Sequence, residues 1–304
     1  MRTAIFIIAF IVLAIGIAFT IRFTNVEDIV ENKKGKKEKK KDKDKDDNMT
    51  AGSSDVQIIT KHDLPEVLKE ISAVVYLDKD RFACVQDELG TIFIYNTSTK
   101  KIENEIEFGA AGDYEGLAVV GKNAYVLRAD GVVFEVKGYS ASGSTTVQHK
   151  THLTVKQDTE GLCYDNKNNR LLIAIKGPDP AGTNYKGIYS MSLSDFKMDK
   201  TPAYKINLGD PALASFKAKK QGSQMQPSGI AIHPSTGDLY ITEGTKPKLL
   251  ILDNKSVIKS VRDLNSKDFN QPEGISFSPD GELYISNEGN KAPGNILRVD
   301  ISKF

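Results

Sequence analysis

The feature that most limits what this chain can fold into is a three-part phrase that recurs from residue 69 to the end of its 304 residues. Each copy opens with an acid or hydroxyl residue, a small residue and an apolar run: Ser72-Ala73-Val74-Val75, Glu115-Gly116-Leu117-Ala118, Glu160-Gly161-Leu162-Cys163, Ser228-Gly229-Ile230-Ala231 and Glu273-Gly274-Ile275-Ser276. A second apolar segment follows (81–86, 123–128, 170–175, 238–243 and 282–287), then a third (91–96, 132–137, 187–192, 248–253 and 295–300). Alternating apolar and polar positions, enrichment in Ile, Val, Leu, Tyr and Phe, and turns such as Ser278-Pro279-Asp280-Gly281 mark these as half-buried strands. The copies begin 43, 45, 68 and 45 residues apart. A β-helix repeats in far fewer residues, and helical repeats need a 3.6-residue periodicity that is absent here. A period near 45 with three or four strands per copy is that of propeller blades. The expected fold is all-β, a five-bladed β-propeller, with six blades as the alternative if residues 201–226, which lengthen the third copy, hide a degenerate blade. Residues 204–208 within that stretch read as an outer strand. Residues 55–60 read as a strand that completes the last blade and closes the ring.

The propeller occupies residues 55–304 and is preceded by two segments of another kind. Residues 4–21 are eighteen positions without a charge, long enough to cross a bilayer as a helix. The stretch ends Ile17-Ala18-Phe19-Thr20-Ile21, without a small-x-small cleavage site, so residues 1–24 are expected to be an uncleaved transmembrane anchor rather than a removed signal. Residues 25–54 form a linker whose centre, 31–47, is Lys/Asp-rich with no apolar residue and cannot bury a core. The lysines on that side favour a cytoplasmic orientation, whereas large domains behind a signal-like helix are commonly exported despite such charge. We expect export: a single-pass protein of the plasma membrane with its propeller on the extracytoplasmic side. The whole chain carries 41 Lys+Arg against 40 Asp+Glu, and no basic cluster interleaved with aromatics appears in the repeats, which argues against nucleic acid. Cys84 and Cys163 sit in apolar strand contexts and are expected to be buried free thiols.

In a propeller the innermost strand of every blade faces the central channel, so the residue that opens it comes to one mouth in each repeat. Glu115, Glu160 and Glu273 hold that position, with Ser72 and Ser228 in the other two copies. Converging carboxylates repel unless they are protonated, paired or holding a cation, and oxygen ligands suit hard ions such as Ca²⁺ or Mg²⁺. The expected metal ligands are Glu115, Glu160 and Glu273, joined by Glu243, Glu288 and Asp130 from the ends of the second strands. Glu70, Asp87, Glu88 and Asn287 are further rim candidates. The alternative is that a Glu before Gly accepts backbone N–H groups from the neighbouring blade while the Gly allows close approach, with nothing bound. His149-x-x-His152 lacks the further ligands of a zinc site, His233 reads as a turn residue, and no G-x-S-x-G elbow or Cys-His pair is present. Residues 176–187 and 216–224 read as long loops whose Lys186, Lys217, Lys219 and Lys220 are solvated or meet an anion.

The Glu-Ile-Ser opening at 70–72, the Glu-Gly phrases at 115–116, 160–161 and 273–274, Gln226-Pro227-Ser228-Gly229, and the closing run at 281–288 together resemble the SdiA-regulated family. These are bacterial envelope proteins with a membrane helix and a five-bladed propeller distantly similar to NHL repeats. The resemblance covers residues 65–304. It implies a bound calcium ion and no established enzymatic activity. The chain departs from the family pattern at Ala73, where Gly often stands, and at Asn287-Glu288-Gly289-Asn290. A broader resemblance to esterase-like phytases and gluconolactonases implies metal-dependent hydrolysis of a phosphate ester or lactone, but Ser228 stands where lactonase-type sites usually have Asn. The expected function is a membrane-tethered, calcium-binding propeller serving as an envelope binding or scaffold module for an unknown ligand at its mouth. The alternative is a metal-dependent hydrolase built on the same acids.

Overall fold

Strands whose residues are apolar on both faces need cover on both faces, and the chain meets this by standing five sheets side by side around an axis. The computed structural model describes residues 56–140, 143–216 and 222–302. Strand β1 (Gln57–Asp63) is followed by the first complete blade: β2 (Ile71–Asp78), β3 (Arg81–Gln86), β4 (Thr91–Asn96) and β5 (Lys101–Glu107). The second blade holds β6 (Tyr114–Val120), β7 (Asn123–Arg128), β8 (Val133–Lys137) and β9 (Thr145–His149). The third holds β10 (Thr159–Asp165), β11 (Arg170–Ile175), β12 (Tyr185–Ser192) and β13 (Tyr204–Asn207), and the fourth β14 (Pro227–Ile232), β15 (Leu239–Glu243), β16 (Lys248–Leu252) and β17 (Ile258–Asp263). The fifth is built from β18 (Pro272–Phe277), β19 (Leu283–Asn287) and β20 (Asn295–Asp300), with β1 paired antiparallel to β20 as its outer strand. The innermost strands touch in order from β2 to β18 and back to β2, so the ring is closed. There are five blades; the long third copy contributes an outer strand, β13, and the connection to β14 rather than a sixth sheet.

The core lies between the blades. Within β3, Ala83 and Val85 pack toward the second blade with Leu117 and Val126, while Phe82 and Cys84 turn the other way toward Tyr284 and Ile296 of the fifth. Within β11, Leu171 and Ile173 face the second blade and Leu172 and Ala174 the fourth. Period-two alternation therefore sends successive side chains into two different cores. This is why the second strands read as nearly unbroken apolar runs. Cys84 and Cys163 are buried free thiols in these layers, and burial raises both above the ordinary thiol range.

Every innermost strand carries an irregularity at the same place. The pairing register shifts between Ile71 and Ala73, between Tyr114 and Gly116, and between Pro227 and Gly229, leaving Ser72, Glu115 and Ser228 as the extra residue. The corresponding shifts in the other two blades span Glu160-Gly161 and Glu273-Gly274. The repeated phrase is thus a repeated β-bulge, a device that re-aims a side chain and tightens local twist. The glycine that follows exists for the neighbouring blade. A Cβ on Gly229 would lie 2.2 Å from the backbone oxygen of Glu273, and one on Gly274 would lie 2.6 Å from the backbone nitrogen of Val74.

The apolar run at residues 4–21 and the charged linker fall outside the described residues. Among the described residues no helix is long and apolar enough to cross a membrane.

Candidate functional site

The bulges bring Ser72, Glu115, Glu160, Ser228 and Glu273 to one end of the channel. Their chemistry divides by residue type. The serines tie blades together: Ser72 Oγ donates to the carbonyl of Tyr114 at 2.6 Å, and Ser228 Oγ to the carbonyl of Pro272 at 2.7 Å. Each reaches the residue just before the next blade's glutamate, so a hydroxyl here fixes the approach of one innermost strand to the next. Thr242 Oγ1 makes a similar link to the carbonyl of Glu273 at 3.0 Å.

The three glutamates form an electrostatic cluster around a cation that the sequence reading had passed over. Lys176 Nζ donates to Glu160 Oε1 at 2.8 Å. Burial alone would lower that ammonium, but Glu160, Glu273 and Glu115 outweigh it and hold Lys176 well above its ordinary value. Glu115, half-buried on the channel wall, is driven well above the usual carboxyl range by burial first and by Glu160 second; Asp113 and Glu273 add to the shift and Lys176 opposes it. Lys176 follows β11 directly, and the strand-end position it occupies holds Asp87 in the first blade and Glu288 in the fifth. Lining up the five second strands one residue further would have exposed it. Beneath the mouth, Ser72, Glu115, Gly161, Gly229 and Gly274 line a cavity of about 10 Å³, room for about one water molecule.

A raised carboxyl pKa makes a prediction with a definite sign. An acid whose folded-state value exceeds its unfolded value contributes stability that is full at low pH and is lost as pH climbs through the folded value. Glu115→Gln is therefore expected to flatten the loss of stability above the ordinary glutamate range. At neutral pH it should raise the melting temperature, by about 2–4 °C for each 1 kcal/mol relieved. Melting curves at several pH values check this; a variant that melts lower than wild type across the whole range contradicts it.

The remaining candidates are dispersed. Asp130 is held by Arg128, with Nη2 at 2.8 Å and Nε at 3.0 Å; burial opposes ionisation, but Arg128 keeps its carboxyl below the usual range. Glu243 is fully buried against Lys248 and accepts from the backbone N–H of Gln226 at 3.1 Å. Burial pushes Glu243 up and Lys248 down, and Lys248 Nζ also lies 5.0 Å from the centre of the Phe216 ring. Glu288 and Glu273 share the amide of Gln271, which donates to Glu273 Oε1 at 3.2 Å and to Glu288 Oε2, so these two acids do stand together. Asn287 donates to Asn295 Oδ1 at 2.9 Å, Asp87 is buried, and Glu70 and Glu88 are half-buried.

Lys186 corrects the loop reading. It belongs to β12, is 4% exposed, and donates to the carbonyl oxygens of both Lys176 and Gly177; burial lowers its ammonium to about 8. Lys217, Lys219 and Lys220 lie outside the described residues. His149 Nε2 sits 3.0 Å from Glu135 Oε2 with its ring stacked on Phe196, His152 packs edge-on to Tyr189, and His233 Nδ1 accepts from Ser235 and Thr236 in its turn.

The axial donor set, as it stands, does not suit Ca²⁺. That ion takes six to eight oxygens at about 2.3–2.6 Å. Here one glutamate gives an oxygen to Lys176, two of the five positions are serines bonded to carbonyls, and among the described residues no group of three His, Cys, Asp or Glu side chains is arranged to hold a metal ion.

Comparison with solved structures finds the glutaminyl cyclase of Myxococcus xanthus, with a TM-score of 0.54 at 15% identity over 81% of this chain and 95% of that one. The virginiamycin B lyase of Staphylococcus aureus aligns with a TM-score of 0.45 at 14% identity over 79% of this chain and 69% of that one. At such identities the first likeness shows a shared fold and nothing about chemistry. No curated protein sequence matches significantly. The sequence profile of the SdiA-regulated family matches residues 46–292, which takes in all five bulged phrases, and the chain belongs to that family.

Proposed function

We propose that the chain is a membrane-tethered binding or scaffold module of the cell envelope, presenting the acid-rich mouth of its propeller to a partner that carries positive groups. The observation behind this is that the axial side chains are already engaged, Glu160 by Lys176 and Ser72 and Ser228 by carbonyls of the next blade. A partner would meet the protein at the mouth, where half-buried Asp113 acts on Glu115. The tether rests on the apolar run at 4–21, and export on the behaviour of large domains behind such helices. Calcium does not enter this reading, because the axial acids already face Lys176. A metal-dependent phosphoesterase or lactonase would need those same acids turned toward an ion, so the geometry favours binding.

Cell fractionation of the full chain beside a chain starting at residue 55 tests the tether. The full chain should sediment with membranes and be digested by protease added to spheroplasts; recovery in the soluble fraction would defeat the reading. A photo-crosslinking residue at position 113, on the mouth, should capture a partner that the same residue at position 101, exposed on β5, does not. Equal adducts at both positions would remove the mouth from the argument.

A further inference from the structure

We propose that Lys176 is the resident cation of the axial carboxylate ring and stands where a divalent ion would otherwise be needed. Three carboxylates from three blades cannot all be ionised in a narrow channel without a counter-charge. Lys176 Nζ supplies one, 2.8 Å from Glu160 Oε1 and within electrostatic reach of Glu115 and Glu273. The lysine is held there by its backbone. Its own N–H donates to the carbonyl of Asp158 at 2.9 Å, and that of Gly177 to the carbonyl of Gln157 at 2.7 Å. The carbonyls of both residues accept from the buried ammonium of Lys186. Gly177 has no room for a side chain, since a Cβ there would lie 2.3 Å from the carbonyl oxygen of Lys156. One buried lysine therefore pins the segment from which the other reaches into the ring. A surface lysine beside a glutamate would have none of this support. The inference concerns the channel interior and stands whether or not a partner docks on the mouth.

The test is a set of melting curves on the full chain in detergent, with EDTA, with millimolar Ca²⁺ and with millimolar Mg²⁺. Wild type should melt at the same temperature in all three. Lys176→Met, which keeps the length of the side chain and removes its charge, should melt several degrees lower. That loss should be recovered either by Ca²⁺ filling the vacated place or by adding Glu160→Gln, which removes one of the repelling charges. If Lys176→Met alone does not fold, recovery of folding in the double variant carries the same weight. A wild-type transition that rises with Ca²⁺ would overturn the proposal, because an ion site would then exist beside the lysine. So would a Lys176→Met protein as stable as wild type, or one whose loss neither Ca²⁺ nor Glu160→Gln relieves, since Lys176 would then matter for packing alone.

Discussion

Lys248→Met is expected to lower stability by about 3–5 kcal/mol, the usual consequence of leaving a buried carboxylate without its counter-charge. Glu243 and Lys248 are cross-strand partners on β15 and β16 and are both fully buried. Glu243 Oε2 takes the ammonium and the backbone N–H of Gln226, while Oε1 has no hydrogen-bond partner among the described residues. Removal of the ammonium would therefore strand a carboxylate that burial already disfavours. The pair itself need not be stabilising, because desolvating two charges consumes most of what their attraction returns. Glu243→Leu combined with Lys248→Met should accordingly recover most of the loss, within about 1–2 kcal/mol of wild type. Urea titrations of the two single variants and the double close the cycle. A double variant as unstable as Lys248→Met would mean that the pair orders the chain around Gln226 by its hydrogen bonds.

Gly229→Ala should be nearly as damaging, and its effect can be graded against a neighbour. At Gly229 an added methyl would lie 2.2 Å from the carbonyl oxygen of Glu273 and 2.9 Å from Thr242 Oγ1; at Gly161, the equivalent place one blade earlier, the nearest atoms are 3.1 Å away. The clash at Gly229 is with backbone, which yields only if the fourth and fifth blades separate. We expect about 3 kcal/mol or more there, at the upper end of overpacking costs, and about 1 kcal/mol at Gly161. Thermal denaturation of both variants measures the contrast. Equal losses would show that the blades slide freely at the axis.

Both predictions sit at places where sequence pattern and three-dimensional arrangement agree only in part. The inner three strands of each blade were legible because they are apolar and alternate: β3, β4, β7, β11 and β20 begin and end where their periodicity does. The outer strands β5, β9 and β17 were not, since nearly all of their residues are exposed or half-buried and the apolar rhythm is lost. The glutamate phrase was visible as a repeat, and its convergence on the axis follows from the propeller. Its nature as a bulge was not, because an extra residue in one strand leaves no mark until that strand is paired with another. Lys176 and Lys248 escaped, and Lys186 was read as a loop residue, for a shared reason. A lysine at a strand end is ordinarily solvated, and only the closure of the ring shows that these three point inward. The acids were read as seeking a metal because their cationic partners sit at strand ends, where a charge is ordinarily solvated: Glu160 meets Lys176, Asp130 meets Arg128, and Glu243 meets Lys248.

The pairing of β1 with β20 has a consequence for how the molecule is made. These are the first and last of the described strands to leave the ribosome, and β1 has no partner until β20, which also pairs with β19, exists. Four blades can form as they are synthesised, each from adjacent sequence, but the fifth waits for residues 295–300. A chain that stops short of them would carry two unsatisfied strand edges, one on β19 and one on β1, both open to proteases and to pairing with other chains. The seam of the ring thus makes the fifth blade wait for β20, which alone pairs β1 and covers the outer edge of β19.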